Sequence, residues 1–129
     1  MRIVSVAASV LAGLLLSVSA VRADFYTTGG HKVKLFFTAS VNPDCSNAGD
    51  STIRVTKSPE HGRVNVTRVR EFGFFRESNP RSACNRRRVA GVAIYYTAQR
   101  GYTGYDTVGF EVYYPSGSRR SATANIQVR

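Results

Sequence analysis

The sequence has few of the residues from which catalytic and metal sites are built. Its 129 residues include two histidines, two cysteines and eight acidic residues. A hydrolase needs a nucleophile held beside a base, or a pair of carboxylates, and the sequence nominates no residue for either role. It also lacks a nucleophile elbow, a P-loop, a zinc-ligand spacing and a Gly-rich dinucleotide fingerprint. The sequence therefore predicts a non-enzymatic protein without a metal ion or a cofactor.

The long hydrophobic run of this chain lies at its start. Arg2 precedes an apolar run over residues 3–18, and small residues follow. This order is typical of a secretory signal peptide, and the run is shorter than the roughly 20 residues that a membrane span needs. We therefore predict a signal peptide at residues 1–23, a single exported domain at residues 24–129, and no membrane span after processing. Cleavage after Ala20, an uncleaved anchor and a buried N-terminal helix are the alternatives.

Both cysteines, Cys45 and Cys84, lie in the part predicted to be exported. An oxidising compartment, the periplasm or the medium, favours pairing two such thiols. No histidine or further cysteine stands at a spacing that would complete a metal site. We therefore predict a Cys45–Cys84 disulfide, which would stabilise the fold by roughly 4 kcal/mol on the chain-entropy model.

A helical pattern is also missing after residue 24. Apolar residues alternate with polar ones in short segments that are separated by turn residues, which is typical of strands. About seven such segments predict an all-β protein with a β-sandwich fold. The positions expected to face the core are Val33, Leu35, Phe37 and Ala39; Ile53 and Val55; Val64 and Val66; Phe72 and Phe74; Val92, Ile94 and Tyr96; Val108, Phe110 and Val112; and Ala122, Ala124, Ile126 and Val128.

The segment "QRGYTGYD" at residues 99–106 connects two of these strands. Gly101 and Gly104 permit backbone conformations that other residues avoid, and Tyr102 can fold its ring over the end of the core. Asp106 can accept hydrogen bonds from backbone N–H groups of this corner. We therefore interpret these residues as a structural corner.

This corner resembles one in bacterial immunoglobulin-like and cadherin-like repeats, whose units commonly carry Pro-x-x-Gly-x-Val, Tyr-x-Pro and a Gly-Phe-x-Gly-x-Asp corner before a last alternating strand. The corresponding pieces are "PEHGRV" (59–64), "YTA" (96–98), "GYTGYDTVGFEV" (101–112) and "ATANIQV" (122–128). The resemblance covers roughly the last 70 residues, in the right order. It implies an immunoglobulin-like Greek-key β-sandwich of about seven strands and a non-enzymatic module, and it carries over no ligand.

Three features depart from the pattern of these repeats. Ala98 stands where a proline is usual, the insertion at residues 76–88 is foreign to the repeat, and the cysteine pair is not part of it. Cadherin-like domains often bind Ca²⁺ through clustered acids, but the acidic residues of this chain form no Asp-x-Asp or Asp-x-Glu pair. We therefore predict no calcium site.

Arginine is concentrated in one part of the chain, residues 76–88, which we call the arginine segment. Its five arginines are Arg76, Arg81, Arg86, Arg87 and Arg88. Because arginine makes bidentate contacts with phosphate and carboxylate, the segment is a candidate anion-binding site that Cys84 would brace. The alternative is an ordinary solvated loop of a basic protein, since loss of the signal peptide would leave 16 of the 18 basic residues against all eight acidic ones.

These observations together predict an exported binding or interaction module of a bacterial cell envelope. Its expected partner is a protein or an anionic envelope polymer. Nucleic acid is not expected, because the arginine segment has no interleaved aromatic residues and export separates the protein from it. A structural or adhesion unit that assembles through exposed strand edges, or an inhibitor of a secreted hydrolase, are the alternative functions. No oligomeric state is predicted.

Overall fold

The computed structural model describes residues 22–129, so that nearly all of the predicted signal peptide lies outside the described residues. The described part is an all-β sandwich of seven strands and one short 3₁₀ helix. The strands are β1 (Phe25–Thr27), β2 (Lys32–Thr38), β3 (Thr52–Lys57), β4 (Gly62–Phe72), β5 (Arg88–Ala98), β6 (Gly104–Tyr113) and β7 (Arg119–Val128), and the 3₁₀ helix is Ser82–Arg86. No helix within residues 22–129 is long and apolar enough to cross a membrane.

The strands form two sheets that are connected in Greek-key fashion. One sheet has the order β1-β7-β6-β3 and the other β2-β5-β4. All neighbours are antiparallel except β1 and β7, which are parallel. The chain passes between the sheets after β1, β2, β3 and β5, whereas β4–β5 and β6–β7 are hairpins within one sheet. This is the β-sandwich that the alternating pattern predicted, with the immunoglobulin-like Greek-key connections that the resemblance implied.

The main core lies between the two sheets and is built from alternate residues of the central strands. Tyr96, Ile94, Val108, Val112 and Ile126 are completely inaccessible to solvent. These positions follow the predicted alternation of β5, β6 and β7, which the structure confirms. The predicted final hairpin is also confirmed, with β6 and β7 in continuous register from Gly104↔Val128 to Tyr113↔Arg119.

A bulge in β2 overturns the prediction for Phe37. The pairing with β5 shifts between Lys34 and Phe36, so Leu35 is an extra residue in the strand. A bulge changes which face the following side chains point to. As a result Phe36 packs on the core, with its ring centroid 5.9 Å from that of Phe110, whereas Phe37 lies on the outer face of the sheet above Gly91.

The expected inward row along β4 is only partly correct. Val64 packs on the core, but Val66 is 36% exposed because β4 is the edge strand of its sheet. The strand ends at Phe72, which is half exposed, and Phe74 is 98% exposed instead of facing the core.

A second, smaller apolar cluster surrounds the disulfide at one end of the sandwich. Val41, Cys84 and Val89 are buried there, and Ala39, Cys45 and Phe75 pack against them. Ala39 therefore belongs to this cluster, beyond the end of β2, and not to the main core.

Candidate functional site

The arginine segment lies in the long connection between β4 and β5 and contains the 3₁₀ helix. Cys84, in that helix, is bonded to Cys45 in the connection between β2 and β3, with the two Cα atoms 5.5 Å apart. The predicted disulfide is therefore confirmed. Since Cys84 is completely buried, the bond ties the middle of the segment to the body of the domain.

Hydrogen bonds hold the segment at further points. The side-chain amide of Asn85 donates to the carbonyl oxygen of Phe75 at 2.7 Å and accepts from its N–H at 2.8 Å. The N–H of Gly73 donates to the carbonyl oxygen of Cys84 at 3.3 Å. The Nε of Arg81 donates to the carbonyl oxygen of Val41 at 2.6 Å. Directed bonds therefore tie the residues just before the segment to its 3₁₀ helix, and Arg81 ties the segment to the β2–β3 connection.

The five arginines of the segment do not share one environment. Arg81 is half-buried and holds the backbone of Val41. Arg88 is exposed and lies over the ring of Phe72, 5.2 Å from its centroid. Arg76, Arg86 and Arg87 are exposed. Four of the five guanidinium groups therefore remain available to solvent, and the fifth has a structural contact.

None of these arginines forms an ion pair within the described residues. The ion pairs found in residues 22–129 are Lys34–Glu71 and Arg68–Asp50, and the imidazole of His61 lies 4.0 Å from the carboxylate of Glu60. Hydrogen bonds from the hydroxyl and the N–H of Ser46, with a smaller contribution from Arg87, lower the pKa of Asp44 below its ordinary value. The arginines of the segment are therefore not paired with a carboxylate, and Asp44 interacts with Arg87 only through the weaker attraction of separated charges.

Two depressions of the surface include arginines of the segment. Arg81 lines a shallow one of about 630 Å³ beside the β6–β7 turn, together with Phe75 and Tyr114. Arg88 lines a groove of about 580 Å³. The other residues of this groove are Lys34, Phe37, Glu71, Phe72, Gly73 and Phe74. Sequence reasoning missed this groove because it assigned all three phenylalanines to the core.

Asp106 is the buried charged residue of the described part, with 6% of its surface exposed. Its carboxylate accepts hydrogen bonds from the N–H groups of Glu60 (3.0 Å), His61 (2.9 Å) and Thr107 (2.9 Å) and from the hydroxyl of Tyr96 (2.8 Å). The donors were expected in the β5–β6 corner, but Glu60 and His61 belong to the β3–β4 turn. Asp106 therefore joins two connections that meet at one end of the sandwich.

The other residues of the predicted corner lie beside Asp106. Gly101 and Gly104 have positive φ angles of 79° and 139°, which only glycine adopts readily. The ring of Tyr102 packs against the main core and is stacked on that of His61, with the centroids 4.0 Å apart. Its hydroxyl donates to the carbonyl oxygen of Tyr105 at 2.7 Å.

The contacts of Asp106 and Tyr96 change the acidity of both side chains. Burial alone would raise the pKa of Asp106, but the four hydrogen bonds that it accepts outweigh burial and hold its pKa below the ordinary value. Burial, and secondly the hydrogen bond to the Asp106 carboxylate, raise the pKa of Tyr96 far above that of a free tyrosine. Around neutral pH the pair is therefore a carboxylate bound by a neutral phenol.

Residues 22–129 contain no group of three or more His, Cys, Asp or Glu side chains that could hold a metal ion.

Comparisons of the chain with protein-family models, with curated proteins and with solved structures gave no match. The candidate site therefore rests on the arginine segment and its surroundings alone.

Proposed function

We propose that the protein is an exported, non-enzymatic binding module of a bacterial cell envelope that recognises anionic surfaces through the arginine segment. The observation that carries the proposal is the pairing of a rigid backbone with exposed charge. The disulfide and the bonds of Asn85 and Arg81 hold the segment, while Arg76, Arg86, Arg87 and Arg88 stay exposed without a carboxylate partner in the described residues.

Rigidity matters because binding then orders few further groups. Immobilising a flexible, rotamer-rich side chain costs about 0.5 to 1.5 kcal/mol, and ordering a loop adds to this cost. A backbone that is already held avoids the cost of ordering a loop. Guanidinium groups also suit phosphate and carboxylate, since they can donate two parallel hydrogen bonds to either. Acidic polysaccharides and phosphorylated glycolipids are the envelope components that match this chemistry.

Export and family membership belong to the same proposal. A disulfide is typical of proteins from oxidising compartments, which supports an envelope location. The Gly-Tyr-x-Gly-x-Asp corner on an immunoglobulin-like sandwich supports kinship with bacterial immunoglobulin-like and cadherin-like repeats, which act as interaction or spacer units and not as enzymes.

Retention on heparin and on immobilised lipopolysaccharide tests this function. We expect replacement of Arg76, Arg86, Arg87 and Arg88 by serine to leave folding intact, because exposed charges contribute little to stability. Arg81 is kept, since it holds Val41. Losing four contacts worth about 0.5 kcal/mol each should weaken binding by roughly 30-fold at low salt. Added salt should weaken the binding of the wild-type protein.

The control is a second fourfold variant with arginines replaced elsewhere on the surface. Arg54, Arg63, Arg119 and Arg120 are all exposed and lie in β3, β4 and β7. Both variants lose the same charge, so a protein that adheres to polyanions only through its net charge would elute identically in the two cases. Equal elution would contradict the proposed site.

A further inference from the structure

The groove beside the arginine segment has an apolar floor that anion binding alone does not use. Phe37 contributes to it from β2, and Phe72 and Phe74 contribute from the end of β4. Phe72 is 52% and Phe74 98% exposed. Burying one phenylalanine side chain is worth about 1.5 to 3 kcal/mol, so a surface that displays these rings together favours an apolar occupant.

The backbone is held on both sides of Phe74. The residue before it, Gly73, donates its N–H to Cys84, and the residue after it, Phe75, is bonded at both its N–H and its carbonyl to Asn85. A side chain at position 73 would meet the carbonyl oxygen of Cys84 at 2.8 Å, so this close approach requires a glycine. The disulfide-anchored helix therefore presents the Phe74 ring to solvent.

The charges at the groove leave one positive charge without a partner. Lys34 and Glu71 form an ion pair, and the hydroxyl of Tyr95 donates a 3.3 Å hydrogen bond to the same carboxylate. Arg88 lies over the ring of Phe72 and has no carboxylate partner among the described residues. The groove therefore offers an apolar floor together with a single uncompensated guanidinium group.

We propose that this groove binds an amphiphile that has one anionic head group, a phosphate or a carboxylate, and an apolar tail. The head group pairs with Arg88, and the tail lies against Phe37, Phe72 and Phe74. The volume of about 580 Å³ lies within the range of about 300 to 1,000 Å³ that small-molecule sites occupy. This inference rests in part on the proposed function, because Arg88 belongs to both sites.

Isothermal titration of the exported, oxidised protein tests the inference with octyl phosphate, kept below its micelle-forming concentration. Inorganic phosphate supplies the head group without the tail, and octyl glucoside supplies the tail without the charge. We expect octyl phosphate to bind at least 10-fold more tightly than either. No measurable binding of octyl phosphate, or equal binding of all three compounds, would overturn the proposal.

Variants assign the binding to the groove. Arg88→Gln and Phe74→Ser should each weaken octyl phosphate binding about 10-fold or more, and thermal melts confirm that these exposed substitutions leave the fold intact. Arg54→Gln and Tyr105→Ser are the matched controls, since both residues are exposed and neither lines the groove. Equal loss in the control variants would place binding elsewhere and overturn the proposal. The proposal would also be overturned if the protein bound an acidic, aromatic peptide but not octyl phosphate.

Heparin retention distinguishes failure of this site from failure of the proposed function. Phe74→Ser removes no charge, so it should lose octyl phosphate binding while its retention on heparin stays at the wild-type value. If octyl phosphate fails to bind while the fourfold serine variant still elutes early from heparin, only the groove assignment is wrong.

Discussion

At the scale of single residues, Asp106 combines burial with a complete set of hydrogen bonds. Its carboxylate accepts three backbone N–H groups and one phenol hydroxyl. Two of those N–H groups belong to the β3–β4 turn, so one side chain fixes how that turn meets the start of β6. A buried carboxylate is costly unless it is bonded in this way.

Replacement of Asp106 by alanine should therefore destabilise the protein. The expected loss is about 1 to 3 kcal/mol in the free energy of unfolding, because the N–H groups of Glu60 and His61 would lose their acceptor. Denaturant titration of wild type and variant measures it. An unchanged unfolding midpoint would contradict the structural role and favour a ligand role for the carboxylate.

The loss of stability caused by Asp106→Ala should depend on pH, and the direction follows from the lowered pKa of Asp106. A carboxyl group whose pKa is lower in the folded state than in the unfolded state stabilises the folded state. This stabilisation is complete above the unfolded pKa of about 3.9 and is lost as the pH falls through the folded pKa. The stability difference between wild type and Asp106→Ala should thus be constant near neutral pH and shrink below about pH 4. A difference that stays constant down to pH 2 would mean that the carboxylate charge contributes nothing.

At the scale of elements, the β2 bulge decides which phenylalanine enters the core. Leu35 is the extra residue, so Phe36 faces Phe110 and Phe37 covers the outer face of the central strand β5. The space under Phe37 is available only because residue 91 of β5 is a glycine. A Cβ atom at Gly91 would lie 2.5 Å from the Phe37 ring and still closer to the carbonyl oxygen of Thr38.

Gly91→Ala should therefore cost about 1 to 3 kcal/mol, the usual penalty for overpacking. Thermal or chemical unfolding measures this loss. A double-mutant cycle with Phe37→Ala provides the control: removing the ring relieves one of the two close contacts, so the alanine at position 91 should be less costly in that background. Strictly additive effects would show that Phe37 does not pack over Gly91.

At the scale of the whole molecule, the disulfide joins the β2–β3 connection to the arginine segment. Around it lies the smaller apolar cluster of Val41, Cys84 and Val89. This cluster is separate from the main core, so the end of the sandwich that carries the candidate site has its own, smaller source of stability. Binding and redox state are therefore expected to be coupled there.

Replacing Cys45 and Cys84 by serine should lower the free energy of unfolding by about 2 to 4 kcal/mol. The double variant should also lose part of its affinity for heparin at neutral pH, since the segment would no longer be held before binding. Mass spectrometry of wild-type exported protein should show the two cysteines joined. Two free thiols in that protein, or equal unfolding midpoints for wild type and variant, would contradict this account.

The sequence by itself determined the features that depend on local pattern. Alternation in β5, β6 and β7 predicted the core face of the sandwich, because side chains of a strand alternate strictly between its two faces. The two cysteines in a chain with a predicted export signal predicted the disulfide, and the crowding of arginines predicted the candidate segment. These inferences need only the order of residues along short stretches of the chain.

Only the tertiary structure decided the features in which distant segments meet. The bulge at Leu35 arises from pairing with β5, and it reversed the faces of Phe36 and Phe37. Two of the four donors to Asp106 come from a turn about 45 residues away along the chain, and the groove joins β2, β4 and the start of β5. Register between strands and contacts between loops depend on packing across the whole domain, so no local pattern of residues records them.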